Sequence, residues 1–132
     1  MKALTTLFAI SYFAHLGLCD LGNAVTYPPL YLPNKCYGHS EADIPTTKLF
    51  AAVGRGLWNN GGVCGRYFEI RCVSPDHSAS QCTGKNVIVK IIEGKVGYRA
   101  LTFSLSQTAA AVIYPGPGHV KIEYHEVGGQ GW

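Results

Sequence analysis

Four cysteines, Cys36, Cys64, Cys72 and Cys82, are set in a short chain that glycine or proline interrupts every few residues. An even cysteine set in a small chain reads as a disulfide framework when the chain folds in an oxidising compartment, and here three pairings are open. The fifth cysteine, Cys19, belongs to a different region. Lys2 is followed by the apolar run ALTTLFAISYFA, too short to span a bilayer and the right size for a signal-peptide core. His15 then opens HLGLCD, in which Gly17 and Cys19 take the small-residue positions before a cut. Residues 1–19 are therefore expected to be a leader, with secretion of a mature chain that starts at Asp20. A bacterial lipid-anchor cysteine fits less well, because Leu18 is bulky where that signal wants a small residue. Metal ligation is the competing use of the remaining four cysteines, but they contain no C-x-x-C pair.

The 132 residues suffice for one domain. Lys and Arg number 11 against 8 Asp and Glu, and no basic block exists, so nucleic-acid binding has no electrostatic footprint. No apolar run after the leader reaches membrane length, and no Asn-x-Ser/Thr triplet invites an N-linked glycan.

Alternation carries the fold prediction. Phe68, Ile70 and Cys72 share one face against Glu69 and Arg71; Val120, Ile122 and Tyr124 oppose Lys121, Glu123 and His125. Between them NVIVKII is apolar on both faces except at Lys90, as in a strand buried on two sides. With an N-terminal NAVTY strand and a YRALTF strand these predict a mainly β domain over residues 20–127, closed into a barrel that removes exposed edges. Two short helices are expected. In DIPTTKLFAAV, Thr46 or Thr47 caps a helix that puts Leu49, Phe50 and Val53 on one side. In SLSQTAAAVI, Ser104 and Gln107 have capping-box spacing, and Pro115 with Gly116 stops the helix. Residues 128–132, GGQGW, read as a loose tail.

Catalysis finds little support. A glycosidase needs two carboxyl groups flanking the scissile bond. Glu69 and Glu123 alternate with apolar strand residues and face solvent, Glu41 and Asp43 sit in a polar loop, and Glu93 alone, at the end of a buried strand before a glycine, has a plausible position. His119 and His125 are about 20 Å apart along an extended strand, too far for one metal. There is no G-x-S-x-G turn for a hydrolase triad. Tyr27, Tyr31, Tyr37, Trp58 and Tyr67 lie in loops or near strand ends, where a ring serves equally as core or as a stacking surface.

The segments DLGNAVTYPPLYLPNKCYG, LFAAVGRGLWNNGGVCGRYFEIRC, VIVKII and LSQTAAAVI, in that order, resemble the plant natriuretic peptides and blight-associated proteins. These are secreted, expansin-like proteins with a domain similar to family 45 endoglucanases. The resemblance implies a six-stranded double-psi β-barrel and pairing of Cys36 with Cys64 and of Cys72 with Cys82. Where expansins and those endoglucanases carry His-Phe-Asp-Leu, with the aspartate as catalytic or substrate-binding acid, this chain has Thr102-Phe103-Ser104-Leu105. The second endoglucanase carboxylate follows a first-strand Thr-Tyr-Tyr, where this chain has Thr26-Tyr27-Pro28-Pro29.

The implied protein is a monomeric, apoplastic non-enzyme without cofactor or metal, and two roles are open to it. One is signalling in water and ion homeostasis through a cell-surface receptor, with Tyr37, Trp58, Asn59, Asn60 and Arg66 as the candidate surface. The other is non-hydrolytic binding of cell-wall polysaccharide in a remnant groove of Thr26, Tyr27, Glu93 and Ser104.

Overall fold

The computed structural model describes residues 19–74, 82–95, 101–116 and 118–128. The leader up to residue 18, the loop inside the second disulfide, residues 98–100 of the expected YRALTF strand and the end of the tail lie outside the described residues.

Six strands, β1 (Asp20–Thr26), β2 (Phe50–Val53), β3 (Tyr67–Ser74), β4 (Asn86–Gly94), β5 (Phe103–Leu105) and β6 (Val120–Val127), form a closed barrel in the order β1-β5-β2-β4-β3-β6. The β1–β5 and β2–β4 pairs are parallel, and the rest are antiparallel. The alternation works as read. Phe68, Ile70, Val87, Val89, Ile91, Phe103, Leu105, Val120 and Ile122 fill the interior, at about 1.5–3 kcal/mol for each large apolar side chain withdrawn from water. Between them the outer positions of β3 and β6 meet in pairs, Arg71 with Glu123 at 3.1 Å and His125 with Glu69 at 3.4 Å. Lys90, the polar exception in β4, spans the outer cover of the barrel. Its ammonium donates to the Asp43 carbonyl (2.8 Å) and lies 4.9 Å from the Tyr37 ring centroid.

Two local expectations are corrected. Phe50–Val53 is a strand, not part of a Thr46- or Thr47-capped helix. It runs between β4 and β5 with all four residues fully buried, Ala51 and Val53 inward, Phe50 and Ala52 outward beneath Tyr27 and Tyr31. Burial on both faces erases the period of two, and the residual Leu49, Phe50, Val53 spacing imitates a helix. Thr47 does make a local bond, accepting from the Leu49 N–H at 3.3 Å, but it shapes a turn. A short helix, α1 (Arg55–Trp58), follows instead.

The second correction concerns the helix after β5, α2 (Gln107–Ile113). Its cap is Ser106, not Ser104: the Ser106 hydroxyl accepts from the Ala109 N–H (3.1 Å) and donates to the Lys48 carbonyl (2.7 Å). Ser104 remains in β5, opposite Val25 and Ala52. The helix lays Ala109, Ala110 and Ile113 on the core and ends at Tyr114, just ahead of Pro115.

Cys36 is bonded to Cys64 and Cys72 to Cys82, across 28 and 10 residues. On chain entropy alone the two are worth about 3.6 and about 2.8 kcal/mol. The first ties the loop after β1 to the turn before β3; the second closes the β3–β4 connection. Cys19, which the expected cut would remove, is a free thiol whose Sγ lies 3.7 Å from His125 Nδ1.

Candidate functional site: a polar row and an aromatic strip on the outer wall

The outer wall is organised by register. Ser104 on β5 lies opposite Ala52 on β2, and Ala52 lies opposite Glu93 on β4. At the usual strand spacing this sets Ser104 and Glu93 about 10 Å apart. A bulge makes it so: Ala51 pairs with Ile91 but Ala52 with Glu93, so one extra residue in β4 brings the carboxylate into register. Ala52 is fully buried and packs in one outer cluster with Tyr27, Phe50 and Ile92.

Glu93 is held by backbone. Its Oε1 accepts the N–H of Lys35 at 2.8 Å and that of Gly94 at 3.1 Å. The carboxylate thereby fastens the loop after β1 to the end of β4, next to the Cys36 N–H that bonds the Ile92 carbonyl (3.3 Å).

Tyr27 follows β1 and extends its pairing through an N–H bond to the Leu105 carbonyl (2.9 Å). Its ring, 8% exposed, packs with Phe50, Ala52 and Ile92 and meets Tyr31 edge-on at 5.0 Å. The hydroxyl is enclosed and has no hydrogen-bond partner among the described residues. Burial first, then the charge of Glu93 and the neighbouring Tyr31, push this phenol far above the ordinary tyrosine range. The Lys95 ammonium lies 4.9 Å from the ring centroid, while the Lys95 N–H is fixed on the Val53 carbonyl at 2.8 Å. Next to Glu93 in sequence, Gly94 lies against Trp58, and any Cβ there would overlap the indole. The Lys35 ammonium stands 5.9 Å from the Trp58 ring centroid. Tyr27, Lys95, Glu93, Gly94, Trp58 and Lys35 thus form one continuous strip.

The structure brings Tyr27, Glu93 and Ser104 together and turns Thr26 away. Thr26 is opposite Leu105, an inward residue, and its hydroxyl lies 3.2 Å from that of Tyr114, which donates to the Gly118 carbonyl at 3.0 Å. Of the candidate signalling surface, three members are engaged within the fold. Tyr37 packs on the outer cluster under Lys90, Trp58 covers Gly94, and Arg66 bonds the Gly62 carbonyl (3.0 Å) and Glu126 (2.9 Å). Asn59 and Asn60 are exposed in left-handed backbone, φ 48° and 52°, which asparagine tolerates better than most residues. Lys35 and Lys95 were not singled out from the sequence; nothing in their spacing marks them.

A separate hollow of about 420 Å³ lies between Leu30, Tyr31, Ile44, Thr46, Lys48 and Phe50, with Leu30 89% exposed at its rim. Among the described residues no group of three His, Cys, Asp or Glu is placed to hold a metal ion, and no helix is long and apolar enough to cross a membrane.

This closed barrel with two parallel pairs is the double-psi β-barrel of the expansins. Apo-expansin of Clavibacter michiganensis matches it with a TM-score of 0.63 at 19% identity, over 86% of this chain and 52% of that one. A mutant of the same expansin in complex with cellohexaose matches at 0.61 and 20% identity, over 83% of this chain and 50% of that one. The chain thus spans about half the length of those expansins. The Streptomyces papain inhibitor shares the fold at 0.55 and 16% identity, over 83% of this chain and 96% of that one.

The chain is 30% identical over 124 residues to an EG45-like domain containing protein of Citrus jambhiri, covering 92% of each. It is 34% identical over 123 residues to putative EG45-like domain containing protein 1 of Arabidopsis thaliana, covering 92% of this chain and 89% of that one. It belongs to the family of EG45-like domain containing proteins. No protein-family model matches the chain.

Proposed function

We propose that this protein is a secreted, non-hydrolytic binder of cell-wall polysaccharide, and that the sugar chain lies along the strip from Tyr27 past Glu93 to Trp58. The observation that carries the reading is the half-buried Trp58 ring seated on Gly94 beside a single, backbone-held carboxylate, with the buried Tyr27 backing the same strip. Aromatic rings with polar neighbours are the usual means of holding a pyranose, and hydrolysis needs a second carboxyl that this row lacks. Ser104 faces the row from β5, and a serine hydroxyl is too weak an acid to protonate a leaving group at neutral pH. The expansin that was crystallised with cellohexaose supports a glycan as ligand, and the two disulfides agree with an oxidising, extracellular location.

Pull-down on insoluble wall polysaccharide tests this. The full protein is retained and Trp58→Ala is largely lost, with no reducing sugar released. Failure to bind any wall fraction, or sugar release that Glu93→Gln abolishes, refutes the reading.

A second reading, signalling in water and ion homeostasis through a receptor, is favoured by one observation. Asn59 and Asn60 protrude in a turn that the Cys36–Cys64 bond braces. Protoplast swelling by the intact protein, lost when both asparagines become glycine while wall binding persists, would favour it over the first.

A further inference from the structure

We propose that the ligand of this strip is an anionic polysaccharide, a chain of uronate sugars, and that Lys35 and Lys95 are the residues that select it. The inference rests on the polysaccharide-binding reading and names the chemistry of its ligand.

The argument begins with what covers the rings. A neutral pyranose stacks by placing its C–H face on a bare aromatic face. Here Tyr27, 8% exposed, offers no open face and has the Lys95 ammonium 4.9 Å from its centroid, and the half-buried Trp58 ring already has the Lys35 ammonium 5.9 Å from its own. A neutral sugar has to displace these cations and surrender their attraction to the rings. A uronate uses them. An ammonium has three donors, and a ring face restrains the long lysine stem without satisfying those donors, so a carboxylate finds a cation that has already lost part of its rotamer freedom.

Both lysines are exposed, and both are fixed at the backbone by the device that builds the site. The Lys35 N–H is bonded to Glu93, and the Lys95 N–H to Val53. They therefore flank Glu93 at set positions along the strip, and do not belong to a diffuse surface charge.

The acids on the strip point the same way. Glu93 is its one carboxylate among the described residues, and Oε1 of that carboxylate is turned onto the N–H groups of Lys35 and Gly94. The other end of the row is Ser104, which carries no charge to repel a uronate. Two forward cations against one engaged acid leave the strip electropositive, although the whole chain carries a formal net charge of only +3. Complementary charge at a site of this kind supplies selectivity and salt dependence more than raw affinity.

Affinity electrophoresis of the full protein tests the proposal, in gels containing polygalacturonate or, separately, a neutral soluble β-glucan. Polygalacturonate is expected to retard the protein strongly at 20 mM salt and much less at 300 mM, as screening between exposed charges requires. Lys35→Gln with Lys95→Gln is expected to weaken that binding about tenfold, the sum of two exposed ion pairs of ordinary strength. Lys85→Gln, in the β3–β4 connection, removes one charge, as Lys35→Gln or Lys95→Gln alone does, but far from the strip, and should change little beside either single variant. Thermal melts of each variant check that it is folded. Retardation by the glucan that equals or exceeds that by polygalacturonate, insensitive to salt and to the lysine pair, overturns the proposal while leaving polysaccharide binding intact. An equal loss in Lys85→Gln overturns it as well, by reducing the effect to net charge. Retardation by neither polymer overturns the proposal, and if no insoluble wall fraction retains the protein either, the polysaccharide reading falls with it.

Discussion

The carboxylate of Glu93 accepts the backbone N–H of Lys35 at 2.8 Å across 58 residues of sequence. A position suited to an acid is thus occupied by a fastener, and the bond joins the loop that bears Lys35 to the strand end that bears Lys95. Glu93→Ala should lower stability by about 1–2 kcal/mol, the range for a charge-assisted hydrogen bond that is partly solvated. Glu93→Gln keeps an acceptor and should lose less. Urea melts measure both, and faster hydrogen exchange at the Lys35 amide localises the effect.

The two serines of SLSQ differ in what they hold. Ser106→Ala should cost about 1–2 kcal/mol, because it removes the cap of α2 together with the bond to the Lys48 carbonyl. Ser104→Ala should cost less, about 0.5–1 kcal/mol, because its hydroxyl is buried in the wall but caps no helix. Paired thermal denaturation of the two variants is the check; equal losses would put the cap elsewhere.

The enclosed Tyr27 hydroxyl gives a pH prediction with a definite sign. Burial raises the folded phenol above its unfolded value, so the unfolded chain ionises first as pH rises. Protein stability is therefore unaffected below about pH 9 and falls as pH passes about 10. Tyr27→Phe should make that alkaline decline shallower. It should also leave stability at neutral pH unchanged or raised by up to about 1 kcal/mol, since a buried hydroxyl without a partner is removed.

Gly94→Ala tests the contact that seats Trp58. A methyl group there overlaps the indole, so the ring has to move, at a cost of about 1–3 kcal/mol. A shift in tryptophan emission with the disulfides intact, and reduced retention on wall polysaccharide, are expected.

Much of the barrel is legible in the residues. In β3 and β6 one face meets the core and the other meets water, so the alternation of Phe68, Ile70 and Ile122 with Glu69, Arg71 and Glu123 is plain. β2 has no watered face, and Phe50-Ala51-Ala52-Val53 carries no signal that separates strand from helix. Spacing alone points to Ser104, three residues before Gln107, whereas Ser106 is the residue at which the chain leaves β5 and caps the helix. Glu93 is legible from its place at the end of a buried strand and Tyr27 as a loop aromatic, their grouping with Ser104 comes from resemblance, and the register gathers the three. Thr26 is the neighbour that alternation turns inward. Lys35 and Lys95 were invisible because their placement depends on a bulge in β4, a backbone bond to a carboxylate and a glycine that admits an indole. Each of these is a property of the assembled wall.

The strand order has a bearing on how this protein is made. β1 pairs with β5 and β6, and β2 with β4 and β5, so neither of the first two strands has a partner among the residues synthesised before it or immediately after it. A chain emerging from the ribosome cannot close its wall until Val120–Val127, which joins β3 to β1, arrives. A fragment ending before Asn86 leaves both strands unmatched, and any biological effect of such a fragment belongs to another conformation than the barrel.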